Sequence, residues 1–542
     1  VDLIALRLKY GVNMFKKSVC VITSLILIML SFCGCFGRGK ANKSFAVPII
    51  GEPTSLDPQI AKTDSEKMIV LNCYEGLFRI NKDGAIENGV CESYTVSDDG
   101  LRYTFKLRQD AQWALFSGHK NVLGENYADT FDINVYAEDF AFRFERIFDP
   151  AINSPYSALF SSIASYSADD KYTFSITLNS KDDNLLYNLA SAGAVPCDRE
   201  FYELTGGKYG LDAKYSLCNG PFNVGKWIDG TSIRIDRNNE YSGENKVMPS
   251  SVTFYVNTSR DAVADKMNNG IYDVAYLNNL NYSRITDKSS FNTQSVENTV
   301  YSFILNQSDK NLENKNIRLA LAYSADLSLA CTISEDIKPA VSFVPPYCKV
   351  GTTQYTSSDA TDSVYTFNST KAKQYFEQGL LEIDSSSVEL EIKCTEEYET
   401  FVKQIVQVWQ KTLGVKFAVT VSVVAGDELD STVASGNYSA VFYPFTANTV
   451  NANEFLESFS NNSKLNYKSD RFEVALQQVR ASSRDNSQLL ASCKNAESVL
   501  IDEAVMLPVI YEYSYFIQNK GVSGIYFYPT GDIMYFINAV KK

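Results

Sequence analysis

The chain has 542 residues, enough for two to four domains or one large bilobed body with a substantial core. Hydrophobic residues at 45% and charged residues at 21% give the balance of a soluble globular protein. The formal net charge of -14 argues against a nucleic-acid partner, which would need a basic stripe, and reads as a solvated surface.

Taken in chain order, residues 1–13 do not suit a secreted N-terminus, whereas Met14 opens one. Phe15-Lys16-Lys17 is a positive segment, and Val19 to Leu30 is an apolar run of twelve, too short to span a bilayer. The run ends in Ser31-Phe32-Cys33-Gly34-Cys35, which resembles a bacterial lipoprotein signal. Gly34 before Cys35 suits cleavage better than bulky Phe32 before Cys33. Residues 1–35 are therefore expected to be the signal region, cut before Cys35, which would carry the lipid that holds the protein at a membrane. An ordinary signal peptide with incidental cysteines is the alternative.

Short strands then alternate with helices, without a low-complexity linker or a repeat of fixed period. Ser97-Asp-Asp-Gly100 predicts a hairpin turn into a half-buried strand from Leu101 to Leu107, and Lys171 to Leu178 repeats its alternation. Ala137 to Phe148 reads as a helix with Phe140, Phe144 and Phe148 on one face. Ser259 to Asn269 is a second helix, capped by Ser259 and closed by Gly270, leading into a strand from Ile271 to Leu277. Thr395 to Thr412 is the longest clear helix, lined by Phe401, Ile405 and Val408 or Trp409. Gly414 ends it before a strand from Val415 to Val423. The expected class is mixed α/β.

Catalytic and metal motifs are missing. No dinucleotide or phosphate loop, no H-E-x-x-H and no G-x-S-x-G occurs, so no cofactor is expected. The single histidine, His119, lies in the polar Ser117-Gly-His-Lys120 and reads as an exposed loop residue without a triad partner. Asp98-Asp99 and Asp182-Asp183 sit in turns, and Asn81-Lys-Asp-Gly84 fails as a calcium loop because Arg79 and Val90 would fill ligand positions. Beyond the signal region, Cys73, Cys91, Cys197, Cys218, Cys331, Cys348, Cys394 and Cys493 show no metal-ligand spacing. They leave disulfides and buried thiols equally open.

Several segments together resemble the oligopeptide- and dipeptide-binding lipoproteins of ABC importers, family 5 of the extracellular solute-binding proteins. Gly51-Glu-Pro-Thr-Ser-Leu-Asp-Pro58 is similar to that family's opening signature. Tyr74-Glu-Gly-Leu-Phe78, Asp98 to Arg108, Trp113, Ala137-Glu-Asp-Phe-Ala-Phe, Asp149-Pro150 and Ser154-Pro-Tyr156 follow in the family's order. So do Asn219-Gly-Pro-Phe222 with Trp227, Asn306, Ile317 to Ala322 with Asp326, Pro345-Pro346, Lys371-Ala-Lys373, Trp409 to Val415 and Leu507-Pro508. The likeness spans nearly all of 45–542.

The resemblance implies a bilobed, periplasmic-binding-protein-like α/β fold of type II, the large peptide-binding class, that closes on its ligand like a clam shell. Lobe one would comprise about 41–75, 195–298 and 509–542, an inserted small domain 76–194, and lobe two 299–508. The chain would cross between lobes near Val300 and Pro508. A peptide in such a cleft pairs its backbone with strand edges, while its side chains enter wet, aromatic-walled pockets. Carried over by position, the implied ligand residues are Glu52, Pro53, Thr54, Tyr156, Tyr276, Asn278 and Tyr511. The family's Trp and Asp before a Phe-Leu pair fall on Phe445 and neutral Asn448, ahead of Phe455-Leu456. The usual charged partner of a peptide α-ammonium is therefore absent at that position, and Glu454 is an acid at a different spacing. Tyr136 stands where the family places a helix-capping Thr, and 114–135 is a longer polar loop than usual. The implied partners are a peptide or peptide-like solute, permease subunits and the membrane through its lipid. The protein would act as a monomer on the outer face of the bacterial cytoplasmic membrane, without enzymatic activity. A non-peptide solute, or a signalling peptide bound by a surface receptor without transport, is the competing expectation.

Overall fold

The two alternating segments pair with each other. In the computed structural model, which describes residues 44–82, 84–182, 184–327, 337–356, 364–447, 449–460, 465, 467–482, 485–527 and 533–542, Ser44–Val540 form one compact unit to which the elements below belong. Cys35, Cys331 and Asn448 lie outside the described residues.

Strands Cys91–Val96, Arg102–Leu107, Thr173–Leu178 and Ile163–Asp170 form an antiparallel sheet in that order. Phe105 sits opposite Phe174, with ring centroids 6.2 Å apart. Gly100, at φ +72°, makes the entering turn possible, and its N–H donates to the Ser97 carbonyl at 2.8 Å. Helix Ala137–Phe148 packs on this sheet, as its periodicity predicts. Phe140 and Phe144 are fully buried against Phe174, and burying each contributes ~1.5–3 kcal/mol. At its start the Tyr136 N–H donates to Asp139 Oδ2 at 2.8 Å, so a side chain in the first turn caps the helix without a Thr at 136.

The 114–135 segment is not an open loop, because short helical turns occupy Ser117–His119, Lys120–Leu123 and Tyr127–Thr130. His119 corrects the expectation of an exposed histidine: it is 1% exposed. Its ring packs against Phe116 and Phe201, and Nε2 lies 3.2 Å from the Ser216 carbonyl. Burial holds its pKa down at about 4, against a smaller opposing pull from that carbonyl, so the ring is neutral.

A second sheet sets Ser44–Ile50 parallel to Ser251–Asn257, followed by Ser232–Arg237 and Phe222–Ile228. The largest sheet runs Val274–Asn278, Met506–Asn519, Phe291–Leu305, Ala440–Thr446, Val388–Cys394 and Phe417–Val423, with Lys338–Pro339 added beside Met506–Asn519. Its centre is a pair of long antiparallel strands of 15 and 14 residues, Phe291–Leu305 and Met506–Asn519, with a β-bulge between Val296 and Thr299. Helix Glu399–Leu413 covers the sheet through Phe401, Ile405 and Trp409, and Trp409 lies 4.9 Å from Phe303. The first turn expected from Thr395 is a 3₁₀ turn, Glu396–Tyr398. After Gly414 (φ +79°) the chain turns, Phe417 N–H donating to the Gly414 carbonyl, so the strand begins at Phe417 and Val415 is left in solvent. Helix Arg260–Asn268 carries its Ser259 cap, and the next strand starts at Val274 because Ile271 is spent on the turn after Gly270.

Four hydrophobic cores result. The first draws on 45–256 and Val274 with 522–539, the second and third on 300–511, and the fourth joins Val263–Ile285 to Tyr515 and Ile517. The long strands feed the last three. Among the described residues, seven cysteines are buried free thiols.

Candidate functional site

Gly51, at φ +75°, turns the chain as it leaves strand Ser44–Ile50 and brings Glu52 beside Trp227. Trp227 Nε1–H donates to Glu52 Oε1 at 2.8 Å, while Glu52 Oε2 is buried with no hydrogen-bond partner among the described residues. A carboxylate oxygen left in that state is an acceptor waiting for a donor. Pro53 is buried, and exposed Thr54 is committed: its N–H and hydroxyl both donate to Glu66 Oε1, at 2.9 and 2.8 Å. Glu66 also receives the Lys62 and Thr63 N–H groups. Burial works against its charge, but these hydrogen bonds prevail and lower its pKa.

Tyr156 lies flat on Gly193, where a Cβ would come within 2.4 Å of the ring, and its hydroxyl donates to the Ala61 carbonyl at 2.6 Å. Tyr276 packs its ring at a tilt against Phe516, centroids 4.9 Å apart, and shares a short hydrogen bond with Ser514, whose hydroxyl donates to Asn298 Oδ1 at 2.9 Å. Asn278 caps helix Asn279–Ser283 by accepting the Asn281 N–H. Tyr511 is buried in the third core, where its hydroxyl accepts the Ser342 N–H and donates to the Ser342 carbonyl, both at 2.8 Å. Phe445 is half-buried among Phe343, Tyr443 and Phe459.

These positions fall into two groups. Tyr276, Asn278, Phe445 and Tyr511 gather on the largest sheet around the β-bulge, where Thr299 and Thr446 hydroxyls meet at 2.9 Å and the Ala447 N–H donates to the Asn298 carbonyl. Glu52, Pro53, Thr54 and Tyr156 belong to the region of the first core. The sheet of that region lies beside the largest sheet, with Ala46 N–H donating to Asp273 Oδ2 at 2.9 Å. Glu454, in helix Ala452–Glu457, is held by Asn451 Nδ2 at 2.7 Å; its charge, after burial, raises the pKa of Tyr187. Tyr347 is raised by burial and then by Cys348 and Tyr187, so 187, 347 and 454 share one neighbourhood although far apart in sequence.

Sequence reasoning missed two charged clusters. Glu75 is buried and accepts from Arg108 at 3.0 Å, Arg79 at 3.3 Å and the Tyr241 hydroxyl at 2.5 Å. The cavity of about 40 Å³ beside it suits a water molecule rather than a peptide. Glu512 stands alone in the apolar run Leu507 to Tyr515, a signal the sequence did carry. Among the described residues no group of His, Cys, Asp and Glu is arranged to hold a metal, and no helix is long and apolar enough to cross a membrane.

The sequence profile described as bacterial extracellular solute-binding proteins, family 5 middle, matches residues 85–467. The oligopeptide-binding protein OppA of Bacillus subtilis (strain 168) is 24% identical over 97% of this chain and 100% of its own length. The substrate-binding domain of an oligopeptide ABC transporter from Bacillus anthracis str. Ames superimposes with a TM-score of 0.75 at 19% identity, covering 93% of this chain and 99% of that one. Listeria monocytogenes OppA bound to peptide gives 0.74 at 20% identity, over 92% and 99%. The fold is thus the bilobed, periplasmic-binding-protein-like α/β fold of the large class. The chain belongs to the family 5 extracellular solute-binding proteins of bacteria, which are binding proteins and not enzymes.

Proposed function

We propose that this chain captures peptides outside the cytoplasm and delivers them to the permease subunits of an ABC importer. The observation that carries the reading is the end-to-end match to an oligopeptide-binding relative, 97% of this chain against all of that one. Glu52 supports it physically, because its unpartnered Oε2 can accept a backbone N–H from an extended ligand. Lobe one is assigned to about 41–75, 195–298 and 509–542, the insert to 76–194 and lobe two to 299–508. The second and third cores draw on residues 300–511, which matches the assigned lobe two to within a few residues, while the first core runs through both the insert and lobe one. The long strands would form the joint on which the lobes close, near Val300 and Pro508.

Ligand contacts are assigned to Glu52, Pro53, Thr54, Tyr156, Tyr276, Asn278, Phe445, Asn448 and Tyr511. Direct contact suits Glu52, Tyr276 and half-buried Phe445; the hydroxyls of Tyr156 and Tyr511 already hold backbone groups and would shape the walls. A lipid on Cys35 would tether a monomer to the membrane.

Native mass spectrometry of the chain beginning after Cys35, followed by denaturing release of what co-purifies, tests this reading. A ladder of short peptides is expected. A single non-peptide mass would move the protein to another solute, and failure of a peptide library to raise the melting temperature would overturn the proposal.

A further inference from the structure

The two long strands meet around one carboxyl group that, among the described residues, has no counter-charge. Glu512 lies opposite Thr299 in the strand register, beside the β-bulge, and is 4% exposed. Three elements close over it. Helix Asn279–Ser283 presents the Asn279 N–H, 3.3 Å from Oε1. Strand Phe291–Leu305 presents Tyr301, and the 3₁₀ turn Glu396–Tyr398 presents Tyr398 together with the charge of Glu397. The Tyr301 and Tyr398 rings lie 4.4 Å apart, and the Tyr398 hydroxyl is buried without a well-formed hydrogen bond. The neighbouring strand Lys338–Pro339 pairs with Met506–Asn519 at Tyr511 and Ile510, and Lys338 spends its ammonium on Glu297 at 3.6 Å. Among the described residues no lysine or arginine forms an ion pair with Glu512.

We propose that Glu512 is a proton-operated control on the joint between the lobes: protonated, it lets the joint close tightly, and ionised, it favours the open form. The inference rests on the reading that closure about the long strands captures the ligand. An isolated carboxylate taken out of water is costly, whereas the neutral acid is a small hydrogen-bonding group that suits a site lined by two phenols. Burial, then the Glu397 charge, push its pKa up to about 7, while Tyr398, the Asn279 N–H and Tyr301 pull the other way. Parting of the lobes around these strands would admit water and return the group toward its ordinary value of 4.5. Opening then releases a proton and closing takes one up, so ligand affinity should fall about tenfold from pH 6 to pH 8.

The decisive measurement is small-angle scattering of the intact ligand-free chain at pH 6 and pH 8, paired with infrared detection of the protonated carboxyl. The wild type should expand as pH rises through 7 and lose a carboxylic-acid band over the same range. Glu512→Gln should stay equally compact at both values and lack that band. Tyr398→Phe, which keeps the carboxyl but removes a group that favours its charge, should move the midpoint upward and serves if the first variant fails to fold. Identical scattering of the wild type at both pH values, or the same expansion in Glu512→Gln, would overturn the proposal. Binding of a tripeptide mixture is measured in parallel. Its absence at either pH would sink the peptide reading and leave the scattering result to judge the control.

Discussion

Asp57 and Glu512 are equally hidden, each 4% exposed, and their surroundings could hardly differ more. Asp57 faces Arg146, whose guanidinium donates to both carboxylate oxygens and to Gln59 while stacking 4.1 Å over Tyr202. Gly210, at φ +75°, lets the neighbouring backbone approach so closely that a Cβ would fall 2.1 Å from the Asp57 nitrogen. Glu512 has phenols and one N–H for company. The first site is a rivet, because its charges satisfy one another and neither can leave cheaply. The second is adjustable, because its stable protonation state depends on how wet it is. Burial alone therefore says little about what a charged residue does; the neighbours decide.

The sharpest way to break the comparison is Asp57→Ala, which strands Arg146 in the core and should cost ~3–5 kcal/mol in urea unfolding. Loss below 1 kcal/mol would mean the pair is no rivet. Next come the pH slopes. Glu512 is raised from 4.5 to about 7, so its contribution is fully present below 4.5 and is lost as pH rises through 7, by up to ~3 kcal/mol. His119 is lowered from 6.5 to about 4, so its contribution is present above 6.5 and is lost as pH falls through 4, by a similar ~3 kcal/mol. Between pH 4.5 and 6.5 the two oppose each other. Relative to wild type, Glu512→Gln should gain stability from pH 5 to 8, and His119→Phe should gain it from pH 7 to 4; parallel curves would refute both assignments.

A third buried charge offers a smaller test. Arg143 is fully buried against Phe140, Phe144 and Phe174, its nitrogens lack hydrogen-bond partners, and burial lowers its pKa to about 9. Arg143→Met should raise stability by ~1–3 kcal/mol, since shape is kept and an unpaired cation removed; a loss would show that ring stacking compensates it. The mildest change is Trp227→Phe, which frees Glu52 Oε1 and should cost about 1 kcal/mol with a several-fold loss of ligand affinity, read by calorimetry.

Periodicity made the helix at Ala137–Phe148 and its facing strands legible, because one buried face writes itself into local spacing. Chain order of weak motifs revealed the family. What sequence hid was contact at long range. His119 sits in a polar tetrapeptide, and nothing local tells that Phe201 and Ser216 will close over it. Tyr156 and Tyr511 carry no local sign that backbone carbonyls of Ala61 and Ser342 await them.

Those same distant pairings dictate when the molecule can come into being. Ser514 bonds Asn298 across 216 positions, and Phe536 donates its N–H to the side chain of Asn72 across 464. Closing a loop of the larger size costs about 5 kcal/mol of chain entropy before any contact is gained. At roughly 5–20 residues per second of synthesis, the first core waits on the order of tens of seconds for its last strands to emerge. Through that interval Phe45 and Phe254, which pack on Phe536, stay uncovered, so a chain truncated before residue 522 should leave the first core incomplete and aggregate, read by light scattering.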